Sequence, residues 1–557
     1  MRVAIFLLFF ICALCNSLNV LSKTVVVEPK DGIETLNRAL KEASPNDTFL
    51  LKKGVFIGKI EFDKINGLPE FPIVIMGENE DECFINGNSL PGVKLKKFGC
   101  QIDNSSWIVI QNLNFYNCWT DIIKVNNSNY ISIKNCSAKG GKRFLYTEGF
   151  SSHHFLIENC HWEQDEKVWT HADDYSWDEI HHGKYSYYNG SIFQSARSGG
   201  VFVLRNNTIR NTFNAFRLSQ VLNNEFDYLS ASNGEIYNNV IINTSDNVLE
   251  PENYCSNLHF YHNQLINGHA FISITEVGGG PIYIYGNTGL SEENCEDGWT
   301  IFKLSNDERS LEKPLYIFNN SWDVDYDIFG SINNIWKNNH IKHFNNAYFI
   351  RNQKHFGIYN IGENNEYDFD CSNLKFPAII DSSNYEQNGI IADPQFRNSL
   401  AGDFRLKRNS PCINTGNNPV EFEITINDEL PDIGCFQGET KIEGPPFRFE
   451  QPAIKPEYIE KPRIVRHKTE SSSLTIWFSA PIKTNKNFEN EVQLIQSNKA
   501  LIISKIELSG DGYILKIYST DKIEKNKIAL AFKDFPKGKN GEIGTSWAST
   551  IKITTAL

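Results

Sequence analysis

The densest run of groups able to move protons or to hold a ring-shaped ligand lies between Asn159 and Asn206. It contains Trp169, His171, Asp173, Asp174, Trp177, His181, His182 and Tyr185. Imidazoles and carboxylates can give or take a proton near neutral pH. Flat aromatic faces can stack on sugar rings, which makes Trp169, Trp177, Tyr185, His181 and His182 candidate substrate-binding residues and His171, Asp173 and Asp174 candidate catalytic ones. The plain alternative is a lid that packs its aromatics on whatever lies beneath.

A second set follows downstream in Asp246-Asn247-Val248-Leu249-Glu250-Pro251-Glu252. Glu276 stands 24 residues beyond Glu252. Two carboxylates held close raise one another's pKa, or they share a cation, for which calcium is the fitting choice. Such a pair suits general acid–base work, with Asp246 and Glu250 beside it; turn carboxylates in water are the plain alternative. Arg217, Ser273 and Lys303 fall in one outward column. Arg217 is a candidate for neutralising an anionic substrate, or it only pairs with a neighbouring carboxylate.

The elements that position these groups are set by a repeat. An apolar residue, any residue and then usually Asn recur at Ile110–Asn112, Ile133–Asn135, Ile157–Asn159, Leu204–Asn206, Ile236–Asn238, Phe260–His262, Ile284–Gly286 and Ile317–Asn319. The third positions are spaced by 23, 24, 47, 32, 24, 24 and 33 residues. A base period near 24 is one turn of a parallel β-solenoid, whose core exists only because turns stack. Asn suits a tight turn because it tolerates left-handed backbone angles and bonds to its neighbours above and below. The step of 47 is two turns, or one turn with a large loop. The position after the Asn also stacks, as Cys136, Cys160, Asn207, Asn239, Asn263, Asn287 and Asn320. Helical spacing over 32–40 predicts a short helix that caps the open end.

The opening Asp47–Phe56, the phrase Gly278–Asn287 (GGGPIYIYGN) and the close Ala392–Gly434 (ADPQF, GDFRL, SPCINTG, DIG) resemble the pectate-lyase-like β-helix superfamily over about residues 24 to 440. That resemblance implies an all-β, right-handed parallel β-helix and an extracellular, glycan-directed role. It leaves the reaction open, since the superfamily holds lyases, hydrolases, epimerases and non-catalytic adhesins.

The expected organisation is a signal peptide over 1–17, the β-helix over 24–440, a Pro-rich linker over 441–462 and a β-sandwich resembling immunoglobulin-like modules over 463–557. Met1-Arg2 followed by the apolar run Val3–Leu14 reads as a secretory leader, hence a secreted or periplasmic protein. A lipid anchor at Cys15 is the weaker option, since Leu14 precedes it. No later segment is apolar for long enough to span a bilayer. The net charge of −13 comes without a basic stripe, which argues against nucleic acid as a partner. Beyond the expected leader ten cysteines remain, scattered singly with no CxxC pair, so no zinc site is indicated. The expected partner is a plant or algal cell-wall type polysaccharide, met by a monomer with no certain cofactor. The expected reaction is hydrolysis by paired carboxylates. β-Elimination on a uronic-acid glycan, assisted by calcium or arginine, is the alternative, and a non-catalytic glycan-binding adhesin is the third reading.

Overall fold

The computed structural model describes residues 22–92, 97–149, 151–219, 231–251, 253–275, 277–292, 298–304, 311–331, 340–351, 364–376, 385–418 and 430–449. Beyond these it describes 464–478, 492–496, 499–509, 514–523, 528–532 and 551–553. The signal-peptide residues 1–17, and both Glu252 and Glu276, lie outside the described residues.

The repeated phrase forms a ladder. Ile110, Ile133, Ile157, Leu204, Ile236, Phe260, Ile284 and Ile317 pair in parallel, each one rung above the last. All eight are buried. This column belongs to a 14-stranded sheet, here sheet A, that begins at Thr24–Val27. A 16-stranded sheet, sheet B, follows after the Asn turn in each coil. A third sheet, sheet C, has five strands, from Ile60–Asp63 to Phe193–Ala196. The chain is therefore a right-handed parallel β-helix whose interior is one continuous apolar core.

The turn chemistry explains the period. Asn112, Asn135, Asn159, Asn206 and Asn238 all adopt positive φ, between 50° and 58°. An L-residue pays least for that conformation when it is Asn. The next position is a hydrogen-bonded ladder sealed from water. Each Asn side-chain amide donates to the Oδ1 one rung on, from Asn207 through Asn239, Asn263, Asn287 and Asn320 to Asn346, at 2.9–3.1 Å. Cys136 and Cys160 continue this column as buried free thiols. The step of 47 is one turn with an insertion, because Glu158 and Arg205 are direct neighbours in sheet A.

Helix α1 (Ile33–Leu40) buries Ile33, Leu36 and Leu40 against the first coil. At the other end, residues 441–449 of the Pro-rich stretch are docked rather than free. Ile442 is buried, its carbonyl lies 2.7 Å from His262 Nε2, and the Arg448 carbonyl accepts from Asn257. Farther on, two four-stranded antiparallel sheets share a core of Leu474, Ile476, Val492, Leu494, Leu515, Ile517 and Ile523, which makes a small sandwich. Among the described residues no helix is long and apolar enough to cross a membrane.

Candidate functional site

The insertion between Glu163 and Ser191 folds into a lid over one corner of the solenoid. Helix α2 (Glu166–Thr170) starts at Asp165, whose carboxylate accepts the Lys167 N–H at 3.0 Å. Helix α3 (Trp177–His181) starts at Ser176, whose hydroxyl faces the Glu179 N–H. Both are ordinary N-caps that satisfy otherwise orphaned donors. The lid has its own small core of Trp119, Val168, Ile180, Tyr188 and Phe213. Gln164 pins it, donating to the Tyr188 carbonyl at 2.9 Å and accepting from the Phe213 N–H at 2.9 Å.

The surface under the lid is the long strand Val240–Glu250, buried from Thr244 to Glu250. Ser245 Oγ donates to the Val168 carbonyl at 2.7 Å, and the Trp177 indole donates to Asp246 Oδ1 at 3.2 Å. Trp177 and His181, four residues apart on α3, share a face. Their rings stack with centroids 4.3 Å apart. This face brings His181 into the field of Asp246, His182, Arg217 and Lys303. Burial lowers the His181 pKa below its ordinary value; Asp246 opposes this, and His182, Arg217 and Lys303 add to it. The imidazole is thereby kept neutral and able to accept a proton at neutral pH.

The neighbouring file follows the pairing register. Arg217 lies beside Glu250, with Nε 3.7 Å from Oε2, and its Nη1 donates to Asn189 at 2.8 Å. Leu249 pairs with Ile272, and Ser273 with Lys303. Arg217, Glu250, Ser273 and Lys303 therefore form one file, while Phe216, Leu249, Ile272 and Phe302 enter the core. On the same strand as Glu250 lies Asn247, fully buried, with neither side-chain atom hydrogen-bonded; Asn214 Nδ2 is likewise without a partner. Buried amides in that state are uncommon, and they mark a place for water, an ion or a ligand.

Comparison with known proteins finds solved structures of low similarity and no sequence relatives. No protein-family model matches the chain, and no curated protein matches it. A mannuronic acid specific polysaccharide family 6 lyase from human gut microbiota is 12% identical, covering 66% of this chain and 91% of its own, with a TM-score of 0.42. A family 6 polysaccharide lyase from Pseudopedobacter saltans is 12% identical over 71% of this chain and 98% of its own, with a TM-score of 0.40. A family 28 exopolygalacturonase from Yersinia enterocolitica is 9% identical over 57% of this chain and 78% of its own, with a TM-score of 0.34.

The residues singled out from sequence separate into groups. Asp246, Glu250, Arg217, His181, His182 and Trp177 come together at the covered corner. His171, Asp173 and Asp174 are placed elsewhere: Asp173 is an exposed partner of Lys167 at 2.6 Å, and His171 Nδ1 lies 2.8 Å from the Tyr175 carbonyl. Asp174 is exposed on the same short turn. Tyr185 stacks on Tyr175 at 4.0 Å and holds the lid together. Trp169 is half-buried on α2. Sequence reasoning missed Asn214 and Asn247, whose only signal was their place beside the carboxylate run. It also missed a groove of about 700 Å³ on sheet B, lined among others by Phe84, Tyr116, Lys139, His161, Glu163 and Arg210.

Proposed function

We propose that this chain cleaves a uronic-acid polysaccharide by β-elimination at the corner under the lid. The observation that carries the reading is the meeting of one neutral imidazole, His181, with two cations, Arg217 and Lys303. Elimination needs a base for the proton on carbon 5 of the uronate and positive charge against its carboxylate, which makes that proton acidic. The base takes the proton, the C–H electrons form the C4–C5 double bond, and the C4–O bond breaks. The leaving oxygen picks up a proton, for which the protonated member of the Glu252 and Glu276 pair is the donor in this scheme. In this scheme His181 is the base, and Arg217 and Lys303 hold the carboxylate. Asp246 orients the lid through Trp177.

Hydrolysis, the reading preferred from the sequence alone, needs two carboxylates facing one glycosidic bond. Asp246 accepts from the Trp177 indole and Glu250 sits beside Arg217, so the described carboxylates each have a partner. Glu252 and Glu276 keep in this proposal the role their spacing of 24 residues suggests, a pair of working carboxylates. The test is a panel of polyuronates and neutral glycans read in two ways. Elimination produces a conjugated double bond that absorbs in the near ultraviolet, whereas hydrolysis produces reducing ends without that absorbance. Reducing ends alone would return the reading to hydrolysis, and no cleavage of any polyuronate would remove it.

A further inference from the structure

Beyond the covered corner, the last coils of the solenoid carry a second cluster inside the core. The repeat breaks there at two places in adjacent rungs. The inward column that reads Ile110 to Ile317 continues with His343, which pairs with Ile317. The Asn ladder that runs to Asn346 continues with Asp370, whose Oδ1 accepts from the Asn346 N–H at 2.8 Å and from its side-chain amide at 3.1 Å. Glu386 arrives from the following turn. One ligand-type atom of each of these three residues lies within 4.8 Å of the other two.

The hydrogen bonding turns one oxygen of each carboxyl toward the cluster. Asp370 Oδ1 is held by the ladder, and Glu386 Oε2 accepts the Asp370 N–H at 3.2 Å. Glu386 Oε1 is buried without a hydrogen-bond partner, and Asp370 Oδ2 is buried against the His343 ring. Asp370 Oδ2 lies 2.7 Å from His343 Nδ1, and His343 and Asp370 are both 0% exposed. The other imidazole nitrogen, Nε2, is 2.8 Å from the Tyr348 hydroxyl. An outer partner that fixes the ring, together with an outer partner for each carboxylate, is the arrangement that orients metal ligands.

In an ordinary rung the ladder Asn donates its amide to a backbone carbonyl, as Asn346 does to Ile317. Asp370 has no amide to give, so it cannot repeat that contact. A neutral histidine and two carboxyls in an apolar interior need either protons or a cation.

We infer that His343, Asp370 and Glu386 hold a divalent cation of the zinc type, which locks the C-terminal coils of the solenoid. One imidazole nitrogen with two carboxylate oxygens suits zinc, whereas calcium takes oxygen ligands in larger number. Neither the spacing of the cysteines nor the histidine-rich lid points here.

The test uses the full chain, dialysed against zinc and then freed of loose metal. The bound metal is counted by elemental analysis and the unfolding midpoint is read with and without chelator. D370N restores the ladder residue of the six preceding rungs, and H343I restores the column residue, so both variants keep the repeat's own chemistry; E386Q is a third, near-isosteric variant. The wild type should retain about one zinc more than any of the three variants. Chelator should lower its midpoint and leave theirs in place, because a ligand bound only by the folded state stabilises it. Zinc retained equally by wild type and variants, or a wild type without zinc whose midpoint ignores chelator, would overturn the assignment.

Discussion

Replacing Asn263 by alanine tests the ladder that defines this fold. The Asn263 side chain makes four hydrogen bonds in a position sealed from water. Its Oδ1 accepts the Asn239 N–H at 3.0 Å and the Asn239 side-chain amide at 2.9 Å. Its Nδ2 donates to the Ile236 carbonyl at 3.0 Å and to Asn287 Oδ1 at 3.1 Å. Alanine leaves the Asn239 N–H orphaned, at about 1–3 kcal/mol, and removes three further bonds at about 1 kcal/mol each, for a total of about 4–6 kcal/mol. Asn159→Gly is the matched control. Asn159 is exposed with φ 55°, its amide makes a 3.2 Å contact to Asn135, and glycine accepts that φ without strain, so the loss should stay below about 1 kcal/mol. Solenoids can unfold in parts, so denaturant midpoints should be paired with hydrogen exchange at the Asn239 amide, which should lose protection. An Asn263→Ala protein within about 0.5 kcal/mol of wild type, or an Asn159→Gly protein equally damaged, would refute the reasoning.

Other expectations concern the corner and the core. Glu252→Gln and Glu276→Gln should each lower cleavage by about 10²–10⁴-fold with unchanged circular dichroism; full activity in both would remove the pair from the mechanism. Arg217→Gln should chiefly weaken binding of a polyuronate, seen as a raised KM that added salt no longer raises much further; unchanged KM would contradict it. The rate should keep its neutral-pH value to below the ordinary imidazole range and then fall, since His181 must be unprotonated and burial lowers its pKa. Asp246→Asn removes the group that raises that pKa, so the acid limb should move further down; a limb that moves up would contradict the assignment. Stability should fall between about pH 6.5 and about 4. Burial holds both His259 and His262 down to about 4, so the unfolded chain takes up protons first as the pH drops. A flat unfolding midpoint across that window would contradict this.

Much of the fold was legible because the turn imposes its own chemistry. A positive φ at every coil favours Asn or Gly, and the inward residue two places earlier is apolar in all eight repeats read, so a period near 24 shows through without any local helix or strand signal. Counting residues does not distinguish an extra coil from an insertion, which is why the step at Asn159–Asn206 needed the Glu158–Arg205 pairing to resolve. The Arg217, Ser273 and Lys303 file could be read for the same reason as the Asn column: each is set by register. The lid could not. Which of its residues reach Asp246 depends on the rotation of α3, which turns Trp177 and His181 inward and leaves Asp173 on Lys167. His343 and Asp370 lie beyond the last repeat read from the sequence, at Ile317–Asn319, and Glu386 joins them only through the fold of the last turn.

The most direct test of the account is the initial rate at which ultraviolet-absorbing product appears from a polyuronate that the wild type cleaves, compared with that of His181→Gln and Lys303→Met. The account predicts absorbance that rises in step with new reducing ends for the wild type, and a loss of about 10²–10⁴-fold for His181→Gln in a folded protein. Lys303→Met should bind the polyuronate more weakly. Reducing ends released without absorbance, or a His181→Gln protein that runs at the wild-type rate, would contradict it.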